Sequence, residues 1–411
     1  MKKVLLIFLL SLGSSFLFSQ VVLTIEGTEI NDTVTGTSSG VNIPRSQPTI
    51  FTYRNNSITS VNAFGYLLQA GDEIRLETNN NLDGGVITGN KFTWDGTDET
   101  SMTHALFTGF NINVIVKYNY LKNTPNGIQR KSNGMTDVSG VIAYNILRNP
   151  KLGIAVKGIN GIKIYNNTFY SERTPAQTYR GLIDIHANID GEFIAMSKGT
   201  KVFNNIFYTR NKVFSIKIQE SECLEGFESD YNLFWCEAGE PIFEINGKTK
   251  TFTQWQALGY DQHSVVLNPD FIDNIDLVPR MCLNYGTNLG VEFQTGLTKD
   301  AVWGKVDPET TKQNDNWQVG ARLYEATATG KKIDIYPNPA QDFFNISIKD
   351  PFLNYQTLKI FDLNGRLIMT DNIEPGTNNI KIPNHLASGI YNIALESGDL
   401  KRYIKKLAII K

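Results

Sequence analysis

The sequence predicts an all-β protein in which a parallel β-helix precedes a small C-terminal β-sandwich. Three observations support this fold class. A short asparagine-containing unit recurs through the middle of the chain at intervals of 22 to 38 residues. No long stretch keeps apolar residues three and four positions apart, so helix signals are nearly absent. The last stretch, of about eighty residues, alternates apolar and polar residues between Asn, Gly and Pro turns, as half-buried strands do.

Residues 1–20 are predicted to be a signal peptide. Lys2 and Lys3 precede an apolar stretch from Val4 to Leu12, which is too short to span a bilayer comfortably. We therefore expect export through the Sec pathway into an oxidising compartment. There, Cys223 and Cys236 either form a disulfide or remain two buried thiols, and both alternatives stay open.

The composition excludes several classes of protein. Of the 411 residues, 41% are hydrophobic and only 19% are charged, which excludes a disordered or fibrous chain. The formal net charge of −2 gives no reason to expect a nucleic-acid partner. We expect a monomer without nucleic acid.

The recurring unit defines the central domain, residues 21–324. The period suits one coil of a parallel β-helix, in which stacked asparagines can hydrogen-bond from coil to coil. We therefore predict that Asn119, Asn145, Asn167 and Asn205 form one internal ladder. The asparagines shared by the units are Asn90, Asn119, Asn145, Asn167, Asn205 and Asn232.

This pattern resembles the right-handed parallel β-helix of the pectate-lyase-like superfamily. The segments His263-Ser264, Asn268 to Phe271 and Gln318 to Ala321 are similar to segments that close many secreted β-helices of this kind. The resemblance implies a right-handed coil, and it does not fix a reaction.

The small, polar stretch at residues 325–332 is predicted to be a linker, and residues 333–411 a β-sandwich. Four segments of this sandwich resemble the C-terminal sorting domain of proteins exported by the type IX secretion system of the Bacteroidetes. They are Tyr336 to Pro339, Asp362 to Arg366, Leu386 to Tyr391, and Lys405-Lys406. The resemblance implies that the secretion machinery is a partner and that the protein is secreted or displayed on the cell surface.

The candidate site lies on strands that follow the asparagine units. Alternation sends residues such as Ile154, Val156 and Ile185 inward and their neighbours outward. On the preceding coil, His104 is added to the outward set, with Ala105 and Phe107 as the expected inward pair. The predicted outward residues on successive coils are Lys131, Lys157, Asp184, His186, Lys217 and Gln219.

The local charge suggests an anionic ligand. Residues 115–217 contain 15 Lys and Arg against 5 Asp and Glu, whereas residues 21–330 contain 26 against 33. A basic middle in an acidic domain favours an anionic partner there. An acidic polysaccharide suits a long groove on a β-helix.

Cleavage of such a chain by β-elimination needs a cation to neutralise the uronate, a base for the proton at carbon 5, and an acid for the leaving oxygen. Lys131 or Arg130 is the candidate cation. Lys157 or His186 is the candidate base, and Asp184 orients the histidine. The predicted catalytic residues are thus Lys131, Lys157, Asp184 and His186, and the predicted substrate-binding residues are Arg130, Lys217, His104 and Gln219.

No cofactor or metal is predicted. Related β-helix lyases often use calcium, but the clustered acidic residues of a calcium site are not evident. Two alternatives to a lyase remain open. One is a glycoside hydrolase with a carboxylate pair drawn from Asp184, Glu220 and Glu222, the last two expected on one strand face. The other is a non-catalytic surface β-helix that binds glycan.

Overall fold

The structure is a computed structural model. It describes residues 4–8, 21–32, 41–43, 49–61, 65–70, 84–97, 100, 102–109, 113–132, 139–178, 180–190, 193–304, 306–324, 333–348, 355–374, 376–397 and 402–411. Most of the predicted signal peptide and the whole predicted linker, residues 325–332, lie outside the described residues. The chain divides into two compact units, Met1–Glu325 and Ala326–Lys411.

The first unit is a β-helix of three nine-stranded sheets, which confirms the predicted fold class. Neighbouring strands pair in parallel except at one end of two sheets, where Val4–Phe8 and Lys248–Thr251 pair antiparallel with their neighbours. Sheet 1 consists of Val4–Phe8, Val21–Glu26, Thr49–Arg54, Gly85–Thr88, Asn113–Lys117, Ser139–Ala143, Lys163–Tyr165, Lys201–Phe203 and Glu228–Asp230. Sheet 2 consists of Glu29–Asp32, Ser57–Ser60, Lys91–Trp94, Tyr120–Lys122, Ile146–Arg148, Thr168–Ser171, Ile206–Thr209, Leu233–Cys236 and Val265–Val266. Sheet 3 consists of Val41–Ile43, Tyr66–Ala70, His104–Gly109, Asn126–Lys131, Leu152–Lys157, Ile183–His186, Phe214–Ile218, Ile242–Ile245 and Lys248–Thr251.

The core forms because equivalent apolar residues stack in register from coil to coil. In sheet 2, the rings of Phe169, Phe207 and Phe234 are stacked with 4.9 Å between successive centroids. In sheet 3, Ile154 pairs with Ile128 on one side and with Ile183 on the other. Each inward side chain is thus buried against its own counterpart, which is how a repeat too small to fold alone becomes stable in an array.

The asparagine ladder is confirmed for the four predicted residues, and it extends to Asn56 and Asn90 before them and to Asn232 after them. Each side-chain amide nitrogen donates to the side-chain oxygen of the next asparagine at 2.9 to 3.1 Å, through Asn56, Asn90, Asn119, Asn145, Asn167, Asn205 and Asn232. The residue before each later asparagine has positive φ, for example 60° at Tyr118 and 52° at Asn166. This backbone turn brings the asparagine into the interior.

Asp261 ends the ladder. Its Oδ1 accepts from Asn232 Nδ2 at 2.8 Å, and its Oδ2 accepts from Trp255 Nε1 at 2.7 Å. Ser229 and Ser264 donate to the same carboxylate, each at 2.6 Å. Burial raises the pKa of Asp261 above its usual range. The four donors satisfy a carboxylate that is fully buried.

Short elements complete the unit. They are the helix Phe252–Gln256, the 3-10 turns Ser221–Leu224 and Val291–Phe293, the hairpin of Asn188–Asp190 with Phe193–Ala195, and the hairpin of Thr295–Leu297 with Thr310–Lys312. Cys223 and Cys236 are free and buried, so the thiol alternative applies. Among the described residues, no helix has the length and apolar character needed to cross a membrane.

The second unit contains two antiparallel sheets that share one apolar core. The three-stranded sheet consists of Ile333–Tyr336, Phe343–Ile348 and Gly376–Lys381. The four-stranded sheet consists of Leu367–Asn372, Tyr355–Phe361, Gly389–Ser397 and Arg402–Ile409.

Candidate functional site

The predicted site residues lie mainly on the outer face of sheet 3, in two adjacent columns. In the first column, Lys131 is in register with Lys157, and Lys157 with His186. Gln219 follows in this column, because Ile218 pairs with Ile185. The predicted alternation thus brings these four residues together on consecutive coils.

The second column runs beside the first. Asp184 is in register with Lys217, and Lys217 with Glu244. In the other direction, Asp184 follows Ala155 and Gln129. Asp184 thus lies between the strand that carries Lys157 and the strand that carries Lys217, with Gln219 just beyond Lys217.

Asp184 is the centre of the polar contacts, although no part of its side chain is exposed. Arg180 NH1 donates to its Oδ2 at 2.7 Å, and Gln219 Nε2 lies 2.9 Å from both carboxylate oxygens. His186 Nε2 is 3.8 Å from Oδ2. Asp184 therefore hydrogen-bonds to Arg180 and Gln219 and lies near the imidazole without a hydrogen bond to it, so its orienting role stays a prediction.

His186 is held as a neutral imidazole. Burial lowers its pKa from 6.5 to about 4, the charge of Asp184 opposes the shift, and Arg180 and Lys157 add to it. Its side chain is only 12% exposed. A neutral ring nitrogen at neutral pH is available to accept a proton.

His104 lies at the start of its strand, in register with Asn126 and so in neither column, and its Nε2 is 2.7 Å from Gln129 Oε1 of the second column. Burial lowers its pKa to about 4 as well. Ala105 and Phe107 were expected to point inward on this strand, and for Phe107 that prediction was wrong. Leu106 occupies the inward column opposite Ile128, and Phe107 is in register with outward Gln129. Phe107 is buried against Tyr66 instead, with ring centroids 5.1 Å apart.

Because the pKa values of His104 and His186 are lowered in the folded protein, we expect acid to destabilise the β-helix. Between pH 6.5 and pH 4 the unfolded chain binds a proton at each histidine that the folded chain does not, so stability falls as the pH falls. We expect a loss on the order of 1–2 kcal/mol in the free energy of unfolding per histidine between pH 7 and pH 5.

All five tryptophans precede residue 325, so urea unfolding followed by tryptophan fluorescence reports the stability of this unit. His186→Gln should reduce the loss. An unchanged pH dependence would contradict the assignment, and His385→Gln, at an exposed histidine of the second unit, is the control.

Arg130 does not face the groove, which corrects its expected role as a substrate cation. It lies between Gln129 and Lys131, so alternation turns it inward, where it is 1% exposed. Its NH1 donates to Thr108 Oγ1 at 3.3 Å and its NH2 to the Ser139 carbonyl at 2.5 Å. Burial lowers its pKa to about 9.

Much of the basic charge counted in the sequence is neutralised by carboxylates that come later in the chain. Lys217 Nζ is 2.9 Å from Glu244 Oε1, and both side chains are largely buried. Further pairs are Lys163–Glu292, Lys198–Glu225, Lys201–Glu228 and Arg210–Glu237. These acids lie outside residues 115–217, so the local count overstated the positive charge. Lys131 and Lys157, both partly exposed, are the cations of the first column.

The expected strand face with Glu220 and Glu222 was also wrong. The chain forms a 3-10 turn, Ser221–Leu224, at this point. Glu220 Oε2 accepts from the Ala187 amide at 2.8 Å and helps to fix the backbone after His186. Glu222 contacts Ser221 Oγ at 3.2 Å.

The sequence interpretation missed Arg180, Gln129 and Glu244. Glu244 and Gln129 follow from extending the register by one coil, which was a usable signal. Arg180 precedes its strand in a loop, where alternation gives no information. Within the described ranges, no group of three or more His, Cys, Asp and Glu side chains could hold a metal ion.

One curated relative is similar to part of the chain. An endo-acting ulvan lyase of Formosa agariphila is 32% identical over 109 residues, which are 26% of this chain. The match covers only 19% of that relative's length. No solved structure matches the chain, so the resemblance to the pectate-lyase-like superfamily stays a prediction.

The second unit has a clear family match. Its strands and core were described above, and its sequence agrees with the resemblance to a sorting domain. Residues 334–411 match the family model of the secretion system C-terminal sorting domain. The protein is therefore exported through the type IX secretion system and is secreted or displayed at the cell surface.

Proposed function

We propose that the β-helix is a polysaccharide lyase that cleaves an acidic polysaccharide by β-elimination on the outer face of sheet 3. The observation that supports this most is the arrangement of a neutral, mostly buried His186 between Lys157 and Asp184. Base and cation on adjacent strands, about 4.8 Å apart, suit abstraction of a proton next to a carboxylate. The partial similarity to an ulvan lyase supports the same reaction class.

In this proposal Lys131 and Lys157 bind the uronate carboxylate. Their charge lowers the cost of the carbanion that forms when the proton at carbon 5 leaves. His186 accepts that proton. The substrate carboxylate adds a negative charge beside the imidazole and so raises its pKa from about 4 toward neutrality, which makes it a better base when substrate is bound. The ammonium group of one of these two lysines protonates the leaving oxygen.

Asp184 acts as a positioning residue. Its carboxylate has no exposed surface and is held by Arg180 and Gln219, so a sugar does not reach it directly. This burial is also the reason for preferring a lyase over a hydrolase that would need Asp184 as one of two reactive carboxylates. A glycan-binding protein without activity has the same basic column and is separated from a lyase only by turnover.

The experiment is a substrate screen with the purified mature chain. We expect absorbance at about 235 nm, from the unsaturated product of β-elimination, with ulvan or with polyuronates. Reducing ends released without that absorbance would indicate a hydrolase. Binding without either signal would indicate a glycan-binding protein.

The two column lysines should govern affinity. Lys157→Ala and Lys131→Ala are expected to weaken polyanion binding about tenfold at low salt and less at high salt, because exposed charges are screened. Affinity electrophoresis at two salt concentrations measures this effect. Lys248→Ala, an exposed lysine of the last strand of sheet 3, is the control. Equal retardation of the variants and the parent would contradict the proposed carboxylate contacts.

A further inference from the structure

Sheet 2 has a cleft that the proposed lyase site does not use. On the outer face of this sheet, Arg148, Tyr170, Tyr208 and Trp235 are in register on four consecutive coils. The rings of Tyr170 and Tyr208 are 4.9 Å apart and tilted by 31°. Phe271, from the segment that crosses this face, lies 5.9 Å from Tyr208. Three aromatic rings thus meet at one place.

The cleft has a volume of about 190 Å³ and a polar rim. Tyr170 is 4% exposed and forms the deep end, whereas Tyr208 and Phe271 are partly exposed. Asn268, Asp270, Asp273 and Asn274 complete the lining. Asp273 Oδ1 accepts from the amides of Ile275 and Asp276, at 2.8 and 2.7 Å. Its other oxygen makes no hydrogen bond to any described residue, so it is available to a ligand donor.

The tyrosine hydroxyls are fixed by acids. Tyr170 donates to Glu172 at 3.1 Å and Tyr208 to Glu237 at 2.5 Å. Arg210 NH1 lies 3.5 Å from Glu172, and its Nε lies 3.2 Å from Glu237. Both rings are therefore held in place before any ligand arrives. Fixed aromatic rings offer a contact surface at a low cost in conformational entropy.

We propose that this cleft binds an uncharged sugar ring of a polysaccharide, stacked on Tyr208 and Phe271. The apolar face of a pyranose packs on aromatic rings, and its hydroxyls pair with amide and carboxylate groups at the rim. The lining residues include two carboxylates and no lysine or arginine. Arg280 Nε lies 3.6 Å from Asp270 Oδ1 and offsets part of that charge, so Asp273 is the carboxylate that disfavours a uronate or sulfated unit. The cleft is thus complementary to neutral units, in contrast to the basic column on sheet 3, and it does not depend on lyase activity.

The test is affinity electrophoresis of the mature chain in gels that contain arabinoxylan, barley β-glucan or galactomannan as neutral probes, with polygalacturonate as the anionic probe. We expect at least one neutral probe to retard the protein. Tyr208→Ala should weaken that retardation at least tenfold and leave the response to polygalacturonate unchanged. Lys157→Ala should leave the neutral retardation unchanged.

Tyr285→Ala, at an exposed tyrosine outside the cleft, is the matched control. Tryptophan fluorescence shows whether Tyr208→Ala is folded. If it is not, Asp273→Asn replaces it, because an asparagine keeps an Oδ1 acceptor for the amides of Ile275 and Asp276 while it removes the rim charge and the second acceptor oxygen. The proposal is overturned if no neutral probe retards the parent, if the cleft variants bind as well as the parent, or if they lose binding of polygalacturonate instead.

Discussion

Asn145→Ala should destabilise the β-helix by about 3–4 kcal/mol, because several buried polar groups lose their partners together. Asn145 Nδ2 donates to the Val116 carbonyl and to Asn167 Oδ1, at 2.9 and 3.0 Å. Its Oδ1 accepts from the Asn119 backbone amide and side chain, at 3.0 and 2.9 Å. An alanine leaves the Asn119 amide and the Val116 carbonyl without these bonds in a place that water does not reach.

Urea unfolding followed by tryptophan fluorescence measures this loss. Asn284→Ala is the matched control, since Asn284 is exposed and makes no hydrogen bond to any described residue. We expect that control to change the free energy of unfolding by less than about 0.5 kcal/mol. If the two variants were equally stable, the ladder would not contribute as described.

His186→Ala should lower turnover of the acidic polysaccharide at least 100-fold with little change in KM, as expected when a general base is lost and the binding lysines remain. The imidazole is the group that accepts the proton in the proposal, whereas Lys131 and Lys157 hold the carboxylate. Initial rates at about 235 nm over a range of substrate concentrations separate the two parameters.

His263→Ala is the matched control. His263 is 63% exposed and contacts Asp230 at 2.6 Å, away from sheet 3. Its substitution should leave both parameters unchanged. A normal rate in His186→Ala would contradict a role for His186 in the reaction. If Arg180→Ala lost as much turnover and also had a raised KM, the loss in His186→Ala would be attributed to a distorted site and not to a missing base.

The repeat made most of the fold predictable. The asparagine spacing located the ladder because each asparagine occupies the same place in its coil. The structure added Asn90 and Asn232, which belong to the recurring units, and Asn56, which does not. Alternation correctly placed Lys131, Lys157 and His186 in one outward column. Both inferences rest on local periodicity, which a single sequence contains.

The misses came from contacts that local periodicity does not contain. Arg130 was assigned to the ligand by its charge, although the alternation that turned Ile128 inward turned it inward too. The partner of Lys217 is Glu244, one coil further on. The 3-10 turn at Ser221–Leu224 interrupts the strand pattern, so the expected glutamate pair did not form. The inward position of Leu106 rather than Phe107 is the register error to which short strands are prone.

A crystal structure of His186→Ala with an acidic oligosaccharide tests the central claim most directly. The account predicts that the chain lies along the outer face of sheet 3, with a uronate carboxylate within hydrogen-bonding distance of Lys131 or Lys157 and its carbon 5 facing position 186. An oligosaccharide bound on another face of the β-helix, with both lysines in solvent, would contradict it.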